Sequence, residues 1–531
     1  MYFSTTFGLA FIASLLSVPC EAETVNNVAI IGAGAAGSSA AFHLRKYALE
    51  ENIAINITVF EKTDHVGGRS LTVPAYNDPS LPIELGASIF VGANHILVNT
   101  SRQFQLPLSK PHRLDKDDVT AIWDGIDFVF QTTEGSWGGW DLAKMFWSMI
   151  GEFLKLYEDP YFPFKSLSQR AEQLGLNRFT SLTGEQVLKN ANIDPRFARE
   201  ILQVATRVNY ASNLAYIHGL ETLVSLATDN AMSVETGNWR IFDEMIMDSG
   251  AAVYRNLTVA SIEKSKTKAQ SSSSSKYIIT TADAHSKDDT AENYGVEFDN
   301  VIIANPWQFS NIKAGKGVLD RVIDEIPYTK LHVTLFTSSL ELNPEFFSMK
   351  PGSKAPATVY TTLAEGDEAG QGADGVGRTG FYSISTLKYV TNPKTGQRER
   401  VYKIFSPKVV TAEFLTRILG TEIPEPVVSG KKQSEHISWY YPHSFYAYPI
   451  ELPRVTFEDP VIGKGVYYTS GIESFISCME TSAFMGRNVA RLVVDNFAGI
   501  SRPDEPLGAG NEKGPLGEEM EGIKVQAEGE L

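Results

Sequence analysis

Residues 27–44, NVAIIGAGAAGSSAAFHL, constrain the fold more than any other stretch of the chain. Val28, Ala29, Ile30 and Ile31 form an unbroken apolar run, as a strand buried on both faces of a parallel sheet requires. Gly32, Ala33 and Gly34 follow at once, and Ala35 through Leu44 then reads as a helix of mostly small and apolar residues, with Gly37 where helix and strand must pack closely. Strand, G-x-G-x-x-G and helix in this order bring bare backbone at Gly32 and Gly34 to a helix N-terminus, where a pyrophosphate binds. The bland reading of the same residues is a tight turn without a ligand. The next strand weighs against it: INITVF, residues 55–60, alternates and ends on Glu61. That acid stands where it would accept hydrogen bonds from the ribose hydroxyls of an adenine dinucleotide and repel a 2′-phosphate.

The chain has 531 residues, 43% of them hydrophobic, enough for two domains or for one domain with a large insertion. Its formal charge of −16, without a basic run, argues against nucleic acid as a partner and favours a neutral or cationic substrate. Residues 7–18, FGLAFIASLLSV, are too short to span a bilayer and are followed by PCEA, with Ala22 at a cleavage point. Residues 1–22 are therefore expected to be a secretory signal peptide, although no Lys or Arg precedes the apolar run. Its removal takes Cys20 and leaves Cys478 without a disulfide partner. No later segment is apolar and long enough for a transmembrane helix, and the nine histidines show no metal-ligand spacing. Glycosylation acceptors stand at Asn56, Asn99 and Asn256; the first and last fall in expected strands, so Asn99 is the candidate to carry sugar.

The pattern along the chain divides a nucleotide-binding unit into pieces, residues 23–110, 232–310 and 455–500. Between them lie a helical segment, 111–231, where apolar residues recur three and four apart, and a sheet-like segment, 311–454, rich in Tyr, Phe, Val and Thr. VYRNLTVASIEKS and KYIITTADA flank a serine-rich tip at 271–275 and read as a solvated hairpin. Residues 501–531 form an acidic tail expected to be disordered. The expected fold class is α/β, a Rossmann-type domain with an interleaved substrate domain of mixed sheet and helices.

Gly67, Gly68 and Arg69 follow closely on Glu61: a second backbone segment can reach the dinucleotide, beside an arginine able to neutralise a diphosphate or bind a carboxylate. Gly86 and Ala87, in ELGASIF, offer another close approach for a flat ring. VFEKTDHVGGRS with the early GAGAAG resembles the extended-FAD domain of the amine oxidase and Rab-escort superfamily. TRVNYASN, SVETGNWRIFDEMI, WYYPHSFYAYP and GVYYTSGIES with METSAFMGRNVA, in that order, narrow the resemblance to the prenylcysteine oxidase (prenylcysteine lyase) family over residues 25–500.

The resemblance implies an FAD-dependent thioether oxidase that cleaves S-farnesyl- or S-geranylgeranyl-cysteine, with oxygen and water, to prenyl aldehyde, cysteine and hydrogen peroxide, in a lysosomal or vacuolar lumen. It also implies noncovalent FAD on Gly32, Gly34, Gly37, Glu61, Gly67, Gly68, Arg69, Gly86 and Ala87, with Val259 beside adenine and Gly471, Glu473, Glu480 and Thr481 along the flavin. No metal is implied, and contact with a membrane is at most peripheral. His443, in an aromatic strand, is the candidate to handle a water proton; its other reading is a merely hydrogen-bonded histidine. Arg207 and Tyr210 are candidates for the cysteinyl carboxylate, against an ordinary helix ion pair for Arg207. Glu480 has a second reading as a first-turn acid serving its own helix, Cys478 reads as a small buried hydrophobe, and Trp123, Trp137, Trp140 and Trp147 read as packing. Two other functions share these residues. A flavin amine oxidase would keep the FAD site, and a prenyl-binding escort protein would keep the fold without flavin.

Overall fold

The computed structural model describes residues 25–110, 115, 118–132, 140–228, 230–266, 276–285, 291–428 and 434–502. The expected signal peptide, the serine-rich tip, Trp137 and all but the first two residues of the acidic tail lie outside these.

Strand Asn26–Ile31 is the centre of the molecule. It pairs in parallel with Ile55–Phe60 on one side and Asn300–Ile303 on the other, with Ile30 opposite both Val59 and Ile302. The sheet continues outward to Ala252–Tyr254 at one edge and through Val466–Tyr468 to Val461–Gly463 at the other, giving six strands. Because side chains alternate, Val28 and Ile30 face helices while Ala29 and Ile31 face a second sheet. Burial on both faces explains the unbroken apolar run.

On the helical face, Ala35–Glu50 lies between Met479–Ala498 and Trp239–Ser249. Ala36 and Ala40 meet Gly486 so closely that a Cβ at Gly486 would collide with the Ala36 carbonyl oxygen. On the opposite face sits a four-stranded sheet in the order Glu292–Phe298, Tyr277–Asp283, Leu257–Lys264, Lys313–Ala314, closing a core of Phe60, Ile262, Tyr277, Ile279 and Phe298. The expected hairpin of 253–281 is present as Leu257–Lys264 against Tyr277–Asp283. Its first run is broken at Asn256, whose φ of 56° ends one strand and redirects the chain from the parallel sheet to the antiparallel one.

The other half is a seven-stranded sheet in the order Trp439–Pro449, Tyr328–Ser338, Arg398–Ser406, Ser383–Thr391, Thr358–Thr361, Thr120–Trp123, Phe128–Thr132. The last two correct the reading of 111–231 as purely helical: this hairpin joins the substrate sheet, and Trp123 is buried against Phe347 and Phe381. The rest of the segment is helical, from Trp140–Leu154 to Gly219–Ser225, and Trp140 and Trp147 lie on its first helix. The strand Lys313–Ala314 carries the nucleotide half past the expected boundary at 310. Asn56 is exposed despite lying in a strand, Asn99 is exposed on the helix His95–Gln103, and Asn256 is half-buried in a turn, so exposure does not single out Asn99.

Gly486→Ala should cost at least about 1–3 kcal/mol through overpacking, because the obstruction is helix backbone that cannot rotate away. Thermal unfolding reads it as a lowered Tm.

Candidate active site

The first glycine turn ends strand Asn26–Ile31 and opens helix Ala35–Glu50, with Gly34 as N-cap. Gly32 adopts φ +105°, and a Cβ at Gly37 would overlap the Gly32 carbonyl oxygen, so both glycines are demanded by the turn itself. Gly34 differs: a Cβ there would meet only the Gly68 Cα, at 3.9 Å. The second glycine pair lies directly across. Gly67 N–H donates to the Ala33 carbonyl at 2.9 Å, and Gly34 and Gly67 form a parallel bridge. Two bare backbone segments thus flank one helix N-terminus, a cradle that suits a diphosphate.

Glu61 is buried at the end of its strand; one carboxylate oxygen accepts the Ala33 N–H at 2.8 Å and the other the Thr63 N–H and hydroxyl, each at 2.8 Å. The Leu257 N–H donates to the Glu61 carbonyl at 3.0 Å, bringing strand Leu257–Lys264 alongside. Val259 sits on it beside a bulge that interrupts the ladder before Ser261, a place where backbone groups turn away from the sheet. Glu61 and the strand that carries Val259 are therefore neighbours.

Arg69 does not wait for a ligand phosphate. Its Nη2 donates to Glu473 at 2.6 Å and its Nη1 to the Ala447 carbonyl at 2.8 Å; the Tyr328 hydroxyl donates to the same Glu473 oxygen at 3.1 Å. This clasp joins the second glycine turn, the buried turn Ser470–Ser474, the edge strand Trp439–Pro449 of the substrate sheet and its neighbour Tyr328–Ser338. Gly471 is needed within that turn because a Cβ would collide with the Glu458 carbonyl oxygen. Gly86 and Ala87 lie opposite: a Cβ at Gly86 would stand 3.2 Å from both the Arg69 carbonyl oxygen and the Phe445 ring, and Ala87 has φ +37°. Their loop is gripped from both halves, by Asn238 Nδ2 on the Ala87 carbonyl at 2.7 Å and by Lys403 Nζ on the Glu84 carbonyl at 2.9 Å and Ser88 Oγ at 3.0 Å. Burial pushes Glu84 up and Lys403 down, each to about 8.

The strand Trp439–Pro449 supplies a wall. Tyr441, His443 and Phe445 stack along one of its faces, with ring centroids 6.4 and 5.5 Å apart, ending at Gly86. His443 is half-buried, and desolvation lowers its pKa.

Three expectations need correction. Arg207 is 0% exposed and its guanidinium is spent on Asn213, Thr361 and the carbonyls of Gly375 and Val376, so it braces the 372–379 turn and is closed to a substrate carboxylate. Glu480 is 1% exposed and accepts the Ile96 and Leu97 N–H groups at 2.9 and 3.0 Å and the Tyr157 hydroxyl at 3.0 Å, so it caps the helix His95–Gln103 besides standing in the first turn of its own. Thr481 is turned inward, its hydroxyl donating to the Ile476 carbonyl at 2.7 Å and meeting the Cys478 sulfur. Tyr210 is buried against Tyr448. Burial pushes the Cys478 thiol up to about 12, which leaves it un-ionised and unsuited to covalent attachment.

Lys403, Glu84, Tyr328, Glu221 and Glu451 escaped the sequence reading. The one available signal was charge inside apolar runs, as in VYKIF and HGLETLV. Among the described residues, no group of three His, Cys, Asp or Glu side chains is placed to hold a metal, and no helix is long and apolar enough to cross a membrane.

A parallel sheet with paired glycine turns at its helix N-terminus, clasped to a second, aromatic-walled sheet, is the arrangement of an FAD-dependent oxidoreductase, and FAD is the cofactor the cradle fits. A family model described as prenylcysteine lyase matches residues 137–503, and one described as an NAD(P)-binding Rossmann-like domain matches residues 30–99. The chain belongs to the prenylcysteine lyase family. Farnesylcysteine lyase of Arabidopsis thaliana is 26% identical over 533 residues, spanning 92% of this chain and 94% of the relative. Prenylcysteine oxidase 1 of Mus musculus is 25% identical over 506 residues, spanning 89% and 90%. A putrescine oxidase redesigned in its cofactor binding shares the fold with a TM-score of 0.55 at 14% identity, over 89% of this chain and 99% of that one.

Because a side chain at Gly34 meets little protein, Gly34→Val should fold with an unchanged Tm for the apoprotein yet lose FAD. A purified variant that stays yellow would place the diphosphate elsewhere.

Proposed function

We propose that the chain oxidises the thioether of an S-prenyl-L-cysteine, farnesyl or geranylgeranyl, with oxygen and water, to prenyl aldehyde, free cysteine and hydrogen peroxide. The observation that carries this reading is the aromatic wall of strand Trp439–Pro449 ending at the Gly86 loop, in a chain of the prenylcysteine lyase family. Bound FAD supplies a two-electron acceptor for the hydride that leaves the allylic carbon beside sulfur. The chain's residues do the rest. Tyr441 and Phe445 offer ring faces to an isoprenoid and to the positive charge that develops as the hydride departs. His443, neutral at neutral pH because burial disfavours its charged form, accepts a proton from the water that adds to that carbon. The Arg69, Glu473 and Tyr328 clasp holds the wall in register with the glycine cradle.

Anaerobic mixing with S-farnesylcysteine should bleach the flavin, and admission of oxygen should restore it with peroxide, prenyl aldehyde and free thiol in equal amounts. Bleaching by putrescine or an aromatic amine, and not by the thioether, would overturn the assignment in favour of an amine oxidase.

We further propose secretory targeting by residues 1–22, with residence in a lysosomal or vacuolar lumen, supported by the short apolar run ahead of PCEA. Protein recovered from cells should then begin near residue 23. Recovery of the intact N-terminus is the contrary result.

A further inference from the structure

Behind the clasp lie two carboxyl groups that the chemistry above does not use. Glu221, on helix Gly219–Ser225, is 0% exposed, and Glu451, just past strand Trp439–Pro449, is 2% exposed. Their side chains are within hydrogen-bonding reach of each other, yet both oxygens of Glu451 and one of Glu221 meet no donor in the protein. Two carboxylates tolerate such an approach only with a proton between them. The other Glu221 oxygen accepts the Ser477 N–H at 3.3 Å, and the Tyr210 hydroxyl also reaches this carboxyl.

Among the described residues, no lysine or arginine forms an ion pair with either carboxyl. His218 Nε2 is 3.7 Å from Glu451, but its Nδ1 accepts the Glu221 N–H at 3.1 Å, and burial lowers its pKa to about 4, so it is neutral. Cys478 is held un-ionised, Glu473 adds negative charge, and Arg454 is the nearby cation that acts on His218. Burial pushes Glu221 up to about 8 and Glu451 up as well. A second observation connects the pair to the active site: Tyr210 packs edge-on against Tyr448 at 5.5 Å, and Tyr448 lies beside Arg69.

We propose that Glu221 and Glu451 share a buried proton and, acting through Tyr210, form the proton store of the active site, positioning residues for the step that releases cysteine. The assignment of that step rests on the prenylcysteine reading. When the hemithioacetal collapses, its C–S bond breaks with the electron pair going to sulfur, and C=O forms as the hydroxyl gives up its proton. The pair delivers one proton toward the departing sulfur and regains one from the hydroxyl, so nothing is consumed.

The test uses the holoenzyme. Infrared spectra at neutral pH should contain a protonated-carboxyl band that changes in E221Q and again in E451Q, the subtraction removing the contributions of Glu84 and Glu480. In single turnover with S-farnesylcysteine, each variant should bleach within about two-fold of wild type while free thiol appears at least about ten-fold more slowly, a split that loss of packing alone does not produce. Absence of the band, or thiol release that keeps pace with bleaching in both variants, overturns the proposal. Should the variants lose FAD, the wild-type holoenzyme decides: absence of any protonated-carboxyl band at pH 7 refutes the shared proton, and a band that survives in the E84Q/E480Q double variant supports it. A wild-type enzyme that S-farnesylcysteine does not bleach removes the prenylcysteine reading and the proton's destination with it, while the infrared band still reports on the pair.

Discussion

Backbone meeting backbone around helix Ala35–Glu50 is the constraint on which the rest depends. At its N-terminus Gly37 allows the helix to press onto its own strand, and over the same first turns Gly486 allows a second helix to press onto Ala36 and Ala40. Dispersion falls off steeply with distance, so these approaches give small side chains the contact density that large ones have elsewhere. The same closeness fixes where the helix begins. A helix N-terminus that cannot shift by a residue is what turns a set of free N–H groups into a diphosphate site.

The two halves are held by polar contacts between segments far apart in sequence. Arg69 reaches Glu473 and Ala447, Lys403 reaches the Glu84–Ser88 loop, and Asn238 grips that loop from the other side. Such pairs gain little net stability over apolar packing once desolvation is counted, but they are directional. They set the angle at which the aromatic strand meets the glycine cradle, which apolar contacts between two cores would leave loosely defined.

What was legible in the sequence was local. The run Val28–Ile31, the glycine turn after it and Glu61 belong to one short unit whose geometry follows from its own backbone, and the aromatic alternation of 439–449 read directly as a strand. The errors arose where a side chain's partner comes from elsewhere. Arg207 and Glu480 are charged residues in helices, and a sequence offers no means of telling a cation spent on carbonyls 168 and 169 residues away, or an acid spent on a helix 384 residues away, from one that awaits a ligand. The hairpin Thr120–Thr132 reads as part of the helical segment because the strand that receives it, Thr358–Thr361, lies far along the chain.

The order of strands in the central sheet bears on how the molecule is made. The neighbour of Asn26–Ile31, Asn300–Ile303, is synthesised some 270 residues after it, and Val466–Tyr468, next on that side, later still. Helix Met479–Ala498, the main cover of helix Ala35–Glu50, follows Val466–Tyr468. Long-range pairing of this kind is slow, and until it is complete the apolar strand and the alanine face of its helix have nothing to cover them. A chain of this design closes its central sheet and covers its first helix only when segments hundreds of residues apart have come together.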